Sequence, residues 1–326
     1  MELVRPMAQG TGTETAADPL DAEMAAVVAA LAAAPAPDPD APLAVRRRAV
    51  DDAARDWVGA DTVACPTRDL TVPGGDGEPC RARLHGTLDD DGPVILHLHG
   101  GGWTFGSIDS HDDLTRRLAV ASGRPVLSLD YRLAPEHPFP APLDDALAAL
   151  DFLERGGLGR PIAARRLVVA GDSAGAHLAL AALLARRDAG RPALAAGLLF
   201  YGCLAPDFET ASQRAFGADE TFLLSTERMR WYWANLLGAI PAETTGLAAP
   251  LRADLAGLPP LFLDAASHDP LRDDTLRLAA RLAAIGAPHR LQITGGVVHG
   301  YLRFARALAP ARATIEAAAA FAATTA

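Results

Sequence analysis

The sequence is poor in the features that build cross-linked, metal-bound or cationic proteins. Its 326 residues include three cysteines, Cys65, Cys80 and Cys203. They form neither a disulfide framework nor a CxxC metal knuckle, so a reducing compartment is the expectation. Positive charge is scarce: 30 basic against 40 acidic residues give a formal net charge of -10, which argues against a nucleic-acid or anionic-membrane partner. The short basic runs Arg46-Arg47-Arg48, Arg165-Arg166 and Arg186-Arg187 lack interleaved aromatics and read as solvated ends of helices or strands. No apolar run approaches the roughly 18 to 20 residues that a membrane-spanning helix needs. The apolar stretch 25–34 follows Glu14, Asp18, Asp21 and Glu23, with Arg5 as the only earlier base. A secretory leader has the opposite charge order. A cytoplasmic protein without stable membrane association is expected.

What the chain has in quantity is apolar side chains: half of it is hydrophobic, enough to bury a substantial core. Residues 1–18 read as polar and loose. Helices are expected at 20–34 and 43–58, separated by the proline-rich linker 35–42, and two strands at 65–88 around the turn Pro73-Gly74-Gly75-Asp76-Gly77. Beyond this, short apolar runs at 94–98, 126–129, 167–170, 197–201, 261–265 and 289–293 alternate with amphipathic or alanine-rich stretches at 112–121, 142–154, 174–187, 271–285 and 302–322. Continuous apolar strands between helices predict an α/β fold with a mostly parallel central sheet flanked by helices. More than fifty residues separate the run ending near Cys203 from that at Leu261, too many for a simple crossover. This segment, with the helical stretch 226–237 carrying Met229, Trp231, Tyr232 and Trp233, reads as an insertion over the carboxyl ends of the strands, where open α/β sheets bind ligands. The aromatics either line a pocket or pack on the core.

Gly171-Asp172-Ser173-Ala174-Gly175 joins the run 167–170 to an alanine-rich helix. It therefore sets Ser173 at a sharp strand-to-helix turn, a nucleophile elbow; an ordinary structural turn is the competing explanation. A serine hydroxyl needs a base, and the base an orienting acid. In the order nucleophile, acid, histidine, the candidate bases are His177, His268, His289 and His299. His177 shares the elbow's helix and should face away, and His289 lies by a strand. His299 sits in Gly295-Gly296-Val297-Val298-His299-Gly300, a glycine-flanked loop after the last strand, and is favoured. Of the carboxylates before it, Asp264 is still within a strand, whereas Asp269 precedes Pro270 at a helix start, where it could also serve as a helix cap. His99-Gly100-Gly101-Gly102-Trp103 follows the run 94–98 and presents bare backbone N–H groups. Together with the N–H of Ala174 it suits an oxyanion hole. Neither GxGxxG nor GxxxxGK[ST] is present to suggest a phosphate loop, and the pair His97 and His99 lacks further metal ligands in register.

Together with Tyr131-Arg132-Leu133-Ala134-Pro135-Glu136-His137-Pro138-Phe139-Pro140, Asp269-Pro270-Leu271 and His299-Gly300, these motifs resemble the hormone-sensitive-lipase-like (family IV) bacterial carboxylesterases of the α/β-hydrolase fold. The resemblance spans residues 94–301. It implies Ser173, Asp269 and His299 as triad, Gly101, Gly102 and Ala174 as oxyanion donors, and a helical cap at 1–60 and 204–249 over a catalytic core at 61–203 and 250–326. Arg132 and Glu136 would order loops, and His99 would fix the glycine loop. Many relatives carry an acidic residue two before the triad aspartate; here that position is Ser267. The implied activity is hydrolysis of small, short-acyl esters through an acyl-enzyme, with no metal or organic cofactor. A deacetylase, lactonase or amidase would use the same machinery. A non-catalytic ligand-binding relative would lack the histidine that stands here as His299. Pairing of two copies as a homodimer through an edge strand or the last helix is left open.

Overall fold

The structure is a computed structural model that describes residues 19–34, 38–58, 62–89, 92–239 and 246–325. Residues 1–18, read above as polar and loose, lie outside the described residues, as do parts of the linker and of the insertion. Eight strands form one sheet in the order β1-β2-β4-β3-β5-β6-β7-β8. Strands β1 (Thr67–Pro73) and β2 (Pro79–His85) form the expected hairpin, and β2 pairs antiparallel with β4. From β4 (Val126–Leu129) through β3 (Val94–Leu98), β5 (Leu167–Asp172), β6 (Ala196–Phe200), β7 (Leu261–His268) and β8 (His289–Val298) all pairing is parallel. Every residue of β3, β4, β5 and β6 is buried, as expected of parallel strands covered on both faces by helices.

Among the described residues the helices are α1 (Ala22–Ala33), α2 (Leu43–Val58), α3 (Asp112–Ser122), α4 (Ala141–Glu154), α5 (Ala174–Asp188), α6 (Ala211–Phe216), α7 (Thr226–Leu237), α8 (Arg272–Ala284) and α9 (Ala309–Thr325). Helix α5 explains its own alanine content. It is buried almost all round, packs against α4 and runs over β5 and β6, and small side chains let a helix lie that close to a sheet. Two apolar clusters cover the two faces of the sheet. One is built on α4, α5 and α8, and the other on α3 and α9 with Met24 and Val27 of α1. Because β3 leads to β4 on one side while β5 continues on the other, the chain reverses its direction of winding at β3 and β5, and a crevice opens beyond their carboxyl ends.

Three expectations need correction. The final helix does not run unbroken from 302: a short 3-10 turn, Tyr301–Phe304, precedes α9. Pro310 sits in the first turn of α9, where its missing N–H costs nothing. Strand β8 does not end at 293 but continues through Gly295 and Gly296 to Val298. A register shift between Ala266 and His268 of β7 allows His268 to pair with Val298, and Ser267 Oγ accepts the Gly296 N–H at 2.9 Å. Finally, the basic runs are not simply solvated. Arg47 donates to the Thr104 and Ala134 carbonyls and pairs with Glu136 at 2.7 Å, and the nearly buried Arg186 pairs with Glu154 at 2.7 Å.

Candidate active site

Sequence dictates the elbow through space as much as through flexibility. A methyl group at Gly175 would stand 2.6 Å from the Leu98 carbonyl carbon and 2.8 Å from the His99 oxygen, while one at Gly171 would overlap Gly175 itself. With both side chains absent, β5 can turn directly into α5. Ser173 pivots at φ 54°, ψ -116°, a strained conformation for a residue with a side chain. Its N–H donates to the Phe200 carbonyl of neighbouring β6 at 2.9 Å, which anchors the turn.

The side chains that meet Ser173 come from the ends of two other strands. His299, immediately beyond β8, places Nε2 2.9 Å from Ser173 Oγ and Nδ1 2.7 Å from Asp269 Oδ2. Asp269 follows β7 and is fully buried, and its second oxygen accepts the Leu271 N–H at 2.7 Å. One carboxylate thus holds the imidazole and the start of the loop into α8. Asp264, the other candidate carboxylate, is hydrogen-bonded elsewhere: it accepts from Tyr301 Oη at 2.9 Å and Thr294 Oγ1 at 2.7 Å, and burial pushes its pKa up to about 7. The remaining histidines are occupied elsewhere. His177 contacts the Ala248 carbonyl at 3.0 Å between Trp103 and Trp233, His268 contacts Ser267 Oγ at 2.9 Å, and His289 contacts the Ala287 carbonyl at 2.9 Å.

The glycine loop after β3 curls over the elbow. Gly101 (φ 115°) and Gly102 (φ 60°) adopt backbone that favours glycine, and the Tyr232 ring of α7 packs where a Gly102 side chain would stand. His99 Nδ1 lies 2.8 Å from the Gly100 carbonyl. Its ring stacks on Tyr131 at 4.2 Å, and Tyr131 Oη donates to the His99 carbonyl at 2.7 Å. Burial lowers the His99 pKa to about 3, so the ring is neutral. Arg132 braces the next turn through a multiple contact with the fully buried Asp145, the shortest at 2.7 Å.

Sequence reasoning passed over Asp172 and His111. Asp172 Oδ1 accepts the Gly100 N–H at 3.0 Å, and Oδ2 lies 3.4 Å from His111 Nε2. Burial by itself would raise the Asp172 pKa. The contact with His111, with His97 and Arg303 behind it, outweighs burial and holds the carboxyl well below the usual range. Asp172 therefore ties the loop after β3 to the elbow after β5. It stood inside the elbow motif and could have been suspected; nothing in the sequence around His111 signalled its part.

A cavity of about 310 Å³ opens above Ser173 and His299. Its walls include Gly101, Gly102 and Phe105 from the core, Val50 from α2, and Met229 and Tyr232 from α7. The aromatic cluster of α7 is therefore divided. Tyr232 lines the cavity, Trp233 packs on Trp103 in the core, and Trp231 lies near Phe105 with part of its surface exposed. Among the described residues no group of three or more His, Cys, Asp or Glu side chains is arranged to hold a metal ion.

A doubly covered parallel sheet that presents a serine at an elbow, with a histidine and a carboxylate from later strands, defines an α/β hydrolase. The chain belongs to that family, in its hormone-sensitive-lipase-like group of carboxylic ester hydrolases: the family model described as alpha/beta hydrolase fold matches residues 95–303. It is 38% identical over 230 residues to carboxylesterase NlhH of Mycobacterium tuberculosis, covering 70% of this chain and 72% of that protein. It is 33% identical over 244 residues to an ethyl acetate hydrolase of Pseudomonas putida, covering 72% and 75%. Among solved structures, a hyperthermophilic esterase of the archaeon Pyrobaculum calidifontis superposes with a TM-score of 0.87 at 32% identity, covering 94% of this chain and 99% of that one.

Proposed function

We propose that the protein is a serine carboxylesterase that hydrolyses small, short-acyl esters. The observation that carries this reading is the hydrogen-bonded chain Asp269–His299–Ser173 at the floor of the cavity. In the proposed cycle His299 Nε2 takes the Ser173 proton as Oγ attacks the ester carbonyl. Asp269, already bonded to Nδ1, fixes the tautomer and stabilises the imidazolium. The N–H groups of Gly101, Gly102 and Ala174 receive the tetrahedral oxyanion, and Ala174 adds the favourable end of the α5 dipole. His299 then protonates the departing alcohol, and water repeats the sequence on the acyl-enzyme to release the acid. A cavity of about 310 Å³ lies at the small end for ligand sites, which favours short acyl chains. The relatives named an ethyl acetate hydrolase and an acetyl-hydrolase support the same size class.

The segments 1–60 and 204–249 are proposed to act as a cap, with α2 and α7 as its walls over the cavity. Ser107 Oγ bonds Asp51 of α2 at 2.7 Å, and the Phe139 N–H donates to the Leu236 carbonyl of α7 at 2.8 Å. A cytoplasmic location is proposed from the composition. Among the described residues no helix is long and apolar enough to cross a membrane. A chain-length series of 4-nitrophenyl esters tests the reading: turnover peaks at short acyl chains and Ser173→Ala abolishes it while leaving the protein folded. Preference for long-chain emulsions, or substantial hydrolysis by the folded variant, overturns it.

A further inference from the structure

The cavity walls carry a charge balance opposite to that of the chain. The protein as a whole has a formal charge of -10, yet three arginines, Arg46, Arg228 and Arg303, line the cavity against a single carboxylate, Asp172. Asp172 is already engaged by the Gly100 N–H and His111. Arg228 is neutralised by Glu220 at 3.0 Å. Arg46 and Arg303 differ from it: among the described residues neither has a carboxylate within ion-pair distance, although most arginines near the site do, such as Arg47 with Glu136 and Arg132 with Asp145.

These two side chains are also held in place. The Arg46 guanidinium lies 5.3 Å from the Phe105 ring centroid and 5.6 Å from that of Trp231, so it is clamped between the core loop and α7. Its neighbour Arg47 pins the same turn of α2 to the core. Arg303 lies in the 3-10 turn that follows His299 and stands over the Phe304 ring at 5.6 Å. It is close enough that a methyl at Gly300 would stand 3.3 Å from its Nη2, and its charge is felt at both Asp172 and Tyr232. Aromatic contact strips water from a guanidinium without supplying a counter-ion, and the chain contains no lysine, so every cation here offers the planar fork that matches a carboxylate.

We propose that Arg46 and Arg303 form an anion subsite in the cavity, and that the esters preferred by this site carry a carboxylate besides the scissile ester. This rests on the esterase reading above and narrows its substrate class.

Two matched pairs test it, with kcat/KM measured in each. In 4-acetoxybenzoate against 4-acetoxybenzamide the charge lies in the leaving group, and in monoethyl adipate against ethyl 5-carbamoylpentanoate it lies in the acyl part. The expected result is a preference of about 5- to 30-fold for the anion in at least one pair, carried mainly by KM and shrinking as salt is added. Arg303→Gln and Arg46→Gln each reduce that ratio, and the lysine variants restore part of it. The subsite is overturned if neither anion is preferred, or if the ratio is unchanged in both glutamine variants. If a variant does not fold, the salt titration of the wild-type ratio decides, because a salt-insensitive preference also overturns it. Turnover of the neutral esters without anion preference removes the subsite alone. No turnover of any of the four by folded protein removes the esterase reading and the subsite with it.

Discussion

Two glycines of the α5 region pose opposite problems to a methyl group, and the contrast tests how the elbow is built. At Gly190 the backbone is left-handed (φ 64°) but the space is open, with nothing within 4 Å of an added methyl. At Gly175 the backbone conformation is one any residue adopts, but the methyl would lie 2.6 Å from the Leu98 carbonyl carbon, with the Leu98 oxygen nearer still. Carbon atoms in contact rest about 3.5–4.0 Å apart, so β3 and the elbow would have to part by about 1 Å. The residues displaced, Leu98 and His99, lead directly into Gly101 and Gly102. Overpacking of this kind costs about 1–3 kcal/mol or more, and a misplacement of about 1 Å at a reacting centre costs roughly 10² in rate. Gly190→Ala should lower stability by about 1–2 kcal/mol and leave kcat/KM for a short-chain ester unchanged. Gly175→Ala should lose at least about 10²-fold in kcat/KM in whatever fraction remains folded. Thermal unfolding and steady-state assays on the two variants side by side suffice. Gly175→Ala activity within tenfold of wild type would refute the claim that close packing of β3 on the elbow positions the site.

Other perturbations follow from the same geometry. Asp269→Asn retains an oxygen for the Leu271 N–H but cannot hold the imidazole in the same way. It should keep the fold by circular dichroism and lose about 10³- to 10⁴-fold in kcat; a loss under tenfold would argue that Asp269 only caps the loop. Asp264 has a folded pKa of about 7 against a reference of 3.8. Its folded form therefore favours the neutral acid, and stability is lost as pH rises from about 4 through 7, by up to about 4 kcal/mol. In chemical denaturation across that window Asp264→Asn should decline less steeply than wild type, whereas parallel curves would show that Asp264 does not titrate as described. Arg132→Met strands the buried Asp145 and should cost about 3–5 kcal/mol, read as a fall in the denaturation midpoint; a change under about 1 kcal/mol would mean that the backbone N–H groups of Gly75 and Arg132 satisfy Asp145 unaided.

Much of this arrangement was legible in the chain because parallel strands and their helices are written in different periods. The apolar runs 94–98 and 126–129 match β3 and β4 to the residue, since a strand buried on both faces needs no polar alternation. Legibility failed where long-range contacts decided the ends of elements. Glycines at 295 and 296 read as a loop, yet the strand runs through them because the shifted register of β7 offers Ser267 to the Gly296 N–H. The Gly296 carbonyl in turn accepts the Asp21 N–H at 2.8 Å, a contact across almost the whole chain that no local pattern encodes. Ser267, noted as a departure from the acidic residue of many relatives, proves to be part of this brace. The run Arg46-Arg47-Arg48 is polar in composition and reads as solvated. Only the folded chain brings Thr104, Ala134 and Glu136 to Arg47, and Phe105 and Trp231 to Arg46.

Whether Ser173 is a nucleophile activated by His299 is read from intact-mass analysis after treatment with a fluorophosphonate, followed by peptide mapping. The expected result is one phosphonyl group per chain, located on Ser173, with loss of esterase activity in proportion to labelling and no adduct on Ser173→Ala. An unlabelled wild-type protein that still hydrolyses esters, or an adduct that persists in Ser173→Ala together with activity, would contradict it.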